Sequence, residues 1–139
     1  MTKPRWSFWL IAVFTLIWNA MGCMNFVMQM SPAMLAEMPE SHRTIAENRP
    51  IWSTVGFALG VFGGTIGALL LLLRRTLARP VFILSLIGVV LATVPLLGML
   101  GDSVHFSAAE MALAVYAPIL LAIFLVWYSR FCEKREWIV

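Results

Sequence analysis

Residues 52–100 read WSTVGFALGVFGGTIGALLLLL, then RRTLARP, then VFILSLIGVVLATVPLLGML. Two uncharged apolar runs, Trp52–Leu73 and Val81–Leu100, flank a short turn that holds Arg74, Arg75 and Arg79. Each run is near the roughly 20 residues that a helix needs to cross a hydrocarbon layer. Lipid offers the backbone no hydrogen-bond partner, so a lone apolar run of this length must form a helix. The arginines between the runs are too short a connection to hide in lipid and mark one face of the membrane.

Outward from this hairpin the pattern repeats. An apolar stretch covers residues 8–30, and another covers residues 108–128, with Glu110 as the one charged residue inside any of the four. Across the 139 residues, 61% are hydrophobic and 12% charged, about half the charged fraction of a soluble domain. A chain this small cannot hide that much apolar surface from water. The sequence therefore predicts one all-α membrane domain, a four-transmembrane-helix bundle with spans near 8–30, 52–73, 81–100 and 108–128 and an outer loop at 31–51.

The basic residues orient it. Lys3, Arg5, Arg74, Arg75, Arg79, Arg130, Lys134 and Arg135 fall on one side, and Arg43 and Arg49 on the other. Short basic loops stay in the cytoplasm, which predicts an N-in/C-in arrangement. The lysines and arginines sit at span ends and form no stripe for nucleic acid. Trp6, Trp9, Trp52, Trp127, Tyr128 and Trp137 lie near span ends, as an aromatic belt requires. Lys3 and Arg5 ahead of an apolar run ending Ala20-Met21-Gly22-Cys23 also give a faint lipoprotein-signal pattern. The apolar run continues past Cys23, and a span is the better reading.

In the 31–51 loop, Ser31-Pro32 fits an N-cap and first helical position, and Pro39 should end the short helix so begun. Asn48-Arg49-Pro50 leads into the second span. A plain connector is the simpler reading of this loop, and a lid over a cavity the alternative.

The first span is the richest in polar groups. Thr15, Asn19, Asn25 and Gln29 share about a third of the helix circumference with Trp18, Gly22 and Phe26. An amide in hydrocarbon must find a hydrogen-bond partner, so this face points at protein or at water. Bundle-fixing hydrogen bonds are one use for it. The other is a substrate-binding surface in which Trp18, Asn19, Asn25 and Gln29 meet a small neutral solute.

Span two carries Gly56, Gly60, Gly63 and Gly67 at helical spacing, with Gly64 beside them. Such a face lets two backbones approach closely, within the chain or across a dimer, and reads as packing. Ser107-Ala108-Ala109-Glu110 fits a capping box, which would keep Glu110 at the interface. Pro95 and Pro118 should bend spans three and four. Met21, Met24, Met28 and Met30 read as adaptable filler. Cys23 and Cys132 read as free thiols. His42, Asp102 and His105 have no metal-ligand spacing. No catalytic motif, cofactor fingerprint or metal site is legible, and the chain does not read as an enzyme.

Several stretches resemble a group of small bacterial inner-membrane proteins that go by the label sugar transporter. They are Trp18-Asn19-Ala20-Met21-Gly22 with Phe26-Val27-Met28-Gln29, Val61-Phe62-Gly63-Gly64-Thr65 running into Arg74-Arg75, Arg79-Pro80-Val81-Phe82, and Trp127-Tyr128-Ser129-Arg130. The resemblance implies a four-span protein of the bacterial cytoplasmic membrane and hints at solute transport. Two functions follow as expectations. One is an oligomeric transporter of a small neutral solute such as a sugar, with four helices per chain favouring a parallel homodimer. The other is a non-transporting accessory or assembly subunit of a larger membrane complex. In either case the lipid bilayer is the chain's first partner.

Overall fold

A computed structural model describes residues 3–99 and 107–139. The described residues form helices and no strand: α1 (Trp6–Met30), α2 (Pro32–Leu35), α3 (Glu40–Asn48), α4 (Ile51–Leu72), α5 (Ala78–Met99), α6 (Ala108–Met111), a π-helical turn (Ala112–Tyr116) and α7 (Ala117–Lys134). Three of them, α1, α4 and α5 as far as Gly98, are long and apolar enough to cross a membrane. They leave many large apolar side chains uncovered, among them Leu10, Phe14, Ile17, Met24, Val55, Ile66, Leu84 and Val94. Water would penalise that surface heavily, and lipid does not. The protein is membrane-embedded.

Prolines punctuate the segment between α1 and α4. Ser31, ahead of Pro32, is held in extended backbone and ends α1, because the proline ring disfavours a helical residue before it. Arg49 is extended ahead of Pro50 in the same way and ends α3. Pro32 occupies the start of α2 as expected, though the Ser31 side chain makes no cap hydrogen bond. Helix α2 already ends at Leu35, four residues before Pro39, and Pro39 instead stands at the N-cap of the nine-residue α3, a helix that the sequence pattern does not show. Ile45 of α3 is buried with Leu96 of α5 and Val115 of the π turn. Ile45 thus docks the segment on the bundle.

Helix α4 lies against α1 on one side and α5 on the other, and α5 meets α7. Its glycines explain the closeness of the α4–α5 pair. A Cβ at Gly56 would come within 2.6 Å of the Leu91 Cβ, one at Gly60 within 3.1 Å of Val89, and one at Gly67 within 2.6 Å of the Phe82 ring, while Gly63 faces Ser85 at 3.4 Å. The matching glycine on the partner helix is Gly88, where a Cβ would sit 2.5 Å from both Gly56 O and Gly60 N. Ser85 Oγ donates to Gly60 O at 2.6 Å, and Ser53 Oγ to Ala92 O at 3.4 Å. The glycine face is therefore occupied within the chain.

The end of the bundle that carries both termini is closed. Phe8, Ala12, Leu71, Phe82, Leu125, Tyr128 and Cys132 form its core, with Trp137 and Ile138 folded in from the C-terminal segment. Tyr128 and Trp137 are buried, so they belong to this core and not to an aromatic belt; Trp6, Trp9, Trp52 and Trp127 are exposed as a belt requires. Helices α4 and α7 end in the same way. Arg74 and Glu136 take positive φ values of 60° and 58°, Arg75 N–H donates to Leu70 O, and Trp137 N–H donates to Cys132 O. These are Schellman closures built without the usual glycine. The two turns are then stitched together: Thr76 N–H to Val139 O, Val139 N–H to Arg74 O, and Arg74 Nε to Trp137 O at 2.7 Å. An Arg79–Glu133 ion pair of 2.7 Å links α5 to α7 beside them.

The last helical stretch is continuous from Ala108 to Lys134 but changes its winding at Ala112–Tyr116. Ala117 N–H reaches back five residues to Ala112 O. Pro118 follows at once and has no N–H to give, so the widened turn sits where the α-helical ladder would in any case be broken. The proline-bearing element predicted from sequence is here, in a form that periodicity does not reveal. Asp102 and His105 lie outside the described residues.

Candidate functional site

Opposite the closed end, the helices part around a cavity of about 480 Å³, within the range of small-molecule sites. Helix α1 contributes Trp18, Asn19, Gly22, Asn25 and Gln29, and α3 contributes His42 and Ile45. Arg49 joins from the α3–α4 junction, Phe57 and Gly60 from α4, and Ser85, Val89 and Thr93 from α5. Glu110, Leu121, Ala122 and Leu125 complete the wall from the last helical stretch. The four residues singled out on the first span, Trp18, Asn19, Asn25 and Gln29, thus line one cavity. The four packing glycines divide: Gly60 reaches the cavity wall, while Gly56, Gly63 and Gly67 do not.

Asn19 is held in place by two features. Its Nδ2 donates to Thr15 O at 2.9 Å, and Gly64 leaves room for its side chain, where any Cβ would collide with the amide. Helix α4 therefore uses two glycine faces, one for α5 and Gly64 for α1. Cys23 Sγ lies 3.3 Å from Thr65 Oγ1 and adds a polar link between the same two helices. Asn19 marks the deep part of the polar wall. Gln29, ten positions on, lies about 15 Å nearer the α3 end at 1.5 Å per residue.

Near the α3 end the amides join a charged group. Arg49 Nη1 donates to Gln29 Oε1 at 3.2 Å, and Gln29 Nε2 donates to Asn25 Oδ1 at 3.2 Å. The guanidinium also lies over the Phe57 ring, 4.7 Å from its centroid, a cation–π arrangement. Burial pulls the Arg49 pKa down from its usual value, yet a guanidinium keeps its charge at any physiological pH. No carboxylate among the described residues lies at ion-pair distance from it. In the sequence Arg49 reads only as one of two basic residues on the outer side. Its position directly before Pro50 marks where α3 turns into α4, and only the folded chain brings it to the amides of α1.

Glu110 is in the first turn of α6. Its N–H donates to Ser107 Oγ at 3.3 Å, as a capping box requires. Its carboxylate, however, accepts from the Ser107 hydroxyl at 3.2 Å, where a full box would have it reach the cap's own N–H. The same residue borders the cavity. Trp18 presents a half-buried ring to the cavity and stacks on Phe14 at 6.3 Å between centroids. Cys23 and Cys132 are both free. Among the described residues no group of three or more histidine, cysteine, aspartate or glutamate side chains could hold a metal.

Long apolar helices with exposed apolar side chains, around a mostly apolar cavity with a polar stretch of wall on α1, define this as a membrane-embedded helical protein. No protein-family model matches the chain, and no curated protein or solved structure does so either.

Proposed function

We propose that the chain is a four-span carrier of the bacterial cytoplasmic membrane, with both termini inside, that binds a small polar solute in the cavity between α1, α4, α5 and α7. The observation that carries this reading is the convergence of Asn19, Asn25 and Gln29 with Trp18 on one cavity. A polar wall reaching from the α3 end to the middle of an apolar helix is costly in a protein whose only task is to pack. Eight of ten basic residues at the closed end support the orientation, and the continuous helical stretch Ala108–Lys134 is long enough to make a fourth crossing. In this arrangement the molecule is open outwards and closed inwards. Transport would then require the Arg79–Glu133 pair and the paired turns at Arg74 and Trp137 to part. A parallel homodimer fits the one-sided charge.

The test is uptake. Proteoliposomes holding the full chain should accumulate a labelled solute from a panel of sugars, polyols and small organic acids faster than empty vesicles, and Asn19→Leu should abolish the difference. Absence of flux across the whole panel counts against a carrier.

A second reading, an accessory subunit of a larger membrane complex, is favoured by one feature. The cavity wall includes Met21 and Leu113, both more than half exposed on the outer surface of the bundle, so a helix of another protein could fill the gap. Purification in mild detergent separates the two: a stoichiometric partner supports the subunit, and a lone chain or homodimer removes it.

A further inference from the structure

The amides of the first span suggest a neutral solute, but the structure adds a cation to the same wall. Arg49 commits one donor to Gln29 and lays its guanidinium face on the Phe57 ring. A guanidinium has five N–H donors, and Arg49 has no other acceptor or counter-charge among the described residues. Glu110 and His42 also border the cavity. Glu110 is engaged with Ser107 on α6 and does not pair with Arg49. Below this level, Leu121, Ala122 and Leu125 of α7 face Val89 and Gly60 across the cavity and offer no charge. The wall opens to the outer surface at Met21 and Leu113.

We propose that the cavity takes a small amphiphile whose oxyanion, a carboxylate or a phosphate, docks on Arg49, while its apolar body lies between α1 and α7. The inference rests on the cavity being the solute site and specifies the chemistry of that solute. A planar guanidinium steadied by Gln29 and Phe57 is pre-set for two parallel hydrogen bonds to an oxyanion. Among the described residues no carboxylate pairs with Arg49, and the ligand's oxyanion would take that place. The apolar depth suits a chain or ring of modest size. Such a ligand can arrive from water through the α3 end or from the bilayer as a lipid headgroup between α1 and α7.

The experiment measures equilibrium binding to the full chain in phosphatidylcholine nanodiscs, with octanoate, octyl phosphate and 1-octanol as probes. Both anions are expected to saturate one site per chain and to bind at least tenfold more tightly than octanol. Arg49→Gln should weaken the anions at least tenfold and leave octanol unchanged, with Arg49→Lys in between. Arg43→Gln, on α3 but not in the cavity wall, should change nothing, and the thermal midpoint of each variant shows that it is folded. Repeating the titration with phosphatidylglycerol in the disc identifies the source. Arg49-dependent competition by that lipid places the natural anion in the bilayer, and its absence with anion binding intact places it in water. Equal binding of anions and octanol, or anion binding indifferent to Arg49→Gln, overturns the anion inference alone. Failure of every probe to bind overturns the cavity as a solute site as well.

Discussion

The two ends of this bundle are built from the same helices and solve opposite problems. At the terminal end, Phe8, Leu71, Phe82 and Cys132 are buried almost completely, and the C-terminal Trp137 and Ile138 fold over them. At the α3 end the same α1 and α7 separate around Asn19, Asn25, Gln29 and Arg49. The difference lies in what each end does with polar groups. The closed end pairs its polar groups with one another, through two left-handed turns that exchange backbone hydrogen bonds, the Arg74 Nε bond to Trp137 O and the Arg79–Glu133 pair. The cavity end keeps side-chain amides and a guanidinium, groups that can exchange a protein partner for a ligand. Stability should therefore reside in one end and binding in the other.

Substitutions can break or sharpen that contrast. The largest effect is expected from Phe8→Ala, which empties a fully buried ring site in the closed core. Its loss should cost about 3 kcal/mol, seen as a lowered thermal midpoint in detergent, whereas Trp18→Ala at the cavity should cost well under half of that. Equal losses would erase the distinction between the ends. Gly88→Ala comes next. The new methyl would meet Gly56 O and Gly60 N, both backbone, so α4 and α5 must move apart, at about 2 kcal/mol. The same measurement on Gly98→Ala, which has open space around it, should show no loss.

Smaller effects probe the turns. Glu136 is exposed with φ 58°, and Glu136→Gly should raise stability by up to about 1 kcal/mol by relieving the left-handed backbone. A decrease would mean that the Glu136 side chain contributes a contact. The Arg79–Glu133 pair is partly exposed, at 43% and 24%, so Glu133→Gln should cost less than about 1 kcal/mol. If the closed end opens during transport, the same variant should nevertheless alter uptake rate more than it alters the thermal midpoint.

Much of this organisation was legible before any coordinates. Apolar length alone marks α1, α4 and α5, because lipid leaves a backbone no choice but to bond within its own helix. The glycine face of α4 is legible for the same reason: small residues at helical spacing have one obvious use. Its partner Gly88 was not, since a single glycine in an apolar run carries no periodicity. Residues on α1 could be placed on one face by counting at about 100° each, and Trp18, Asn19, Gly22, Asn25 and Gln29 of that face line the cavity, whereas Thr15 and Phe26 do not. Arg49 could not be read as part of it. Its role depends on how Pro39 and Pro50 fold the intervening chain into α3 and turn it back over the bundle, a tertiary event. The closed end was illegible for a similar reason. Trp137 looks like an interfacial anchor in sequence, and only the left-handed turn at Glu136 swings it into the core.

A solute site in this cavity requires water to reach the middle of the bundle from the α3 end and to stop short of the terminal end. Single-cysteine variants in a Cys23→Ser, Cys132→Ala background test this directly with a membrane-impermeant maleimide. Asn25→Cys at the mouth and Ser85→Cys deeper in the wall should both react when the reagent is added from the α3 side, while Ala12→Cys in the closed core should stay inert from either side. A Ser85→Cys that is inert from the α3 side, or that reacts only from the terminal side, would contradict the account.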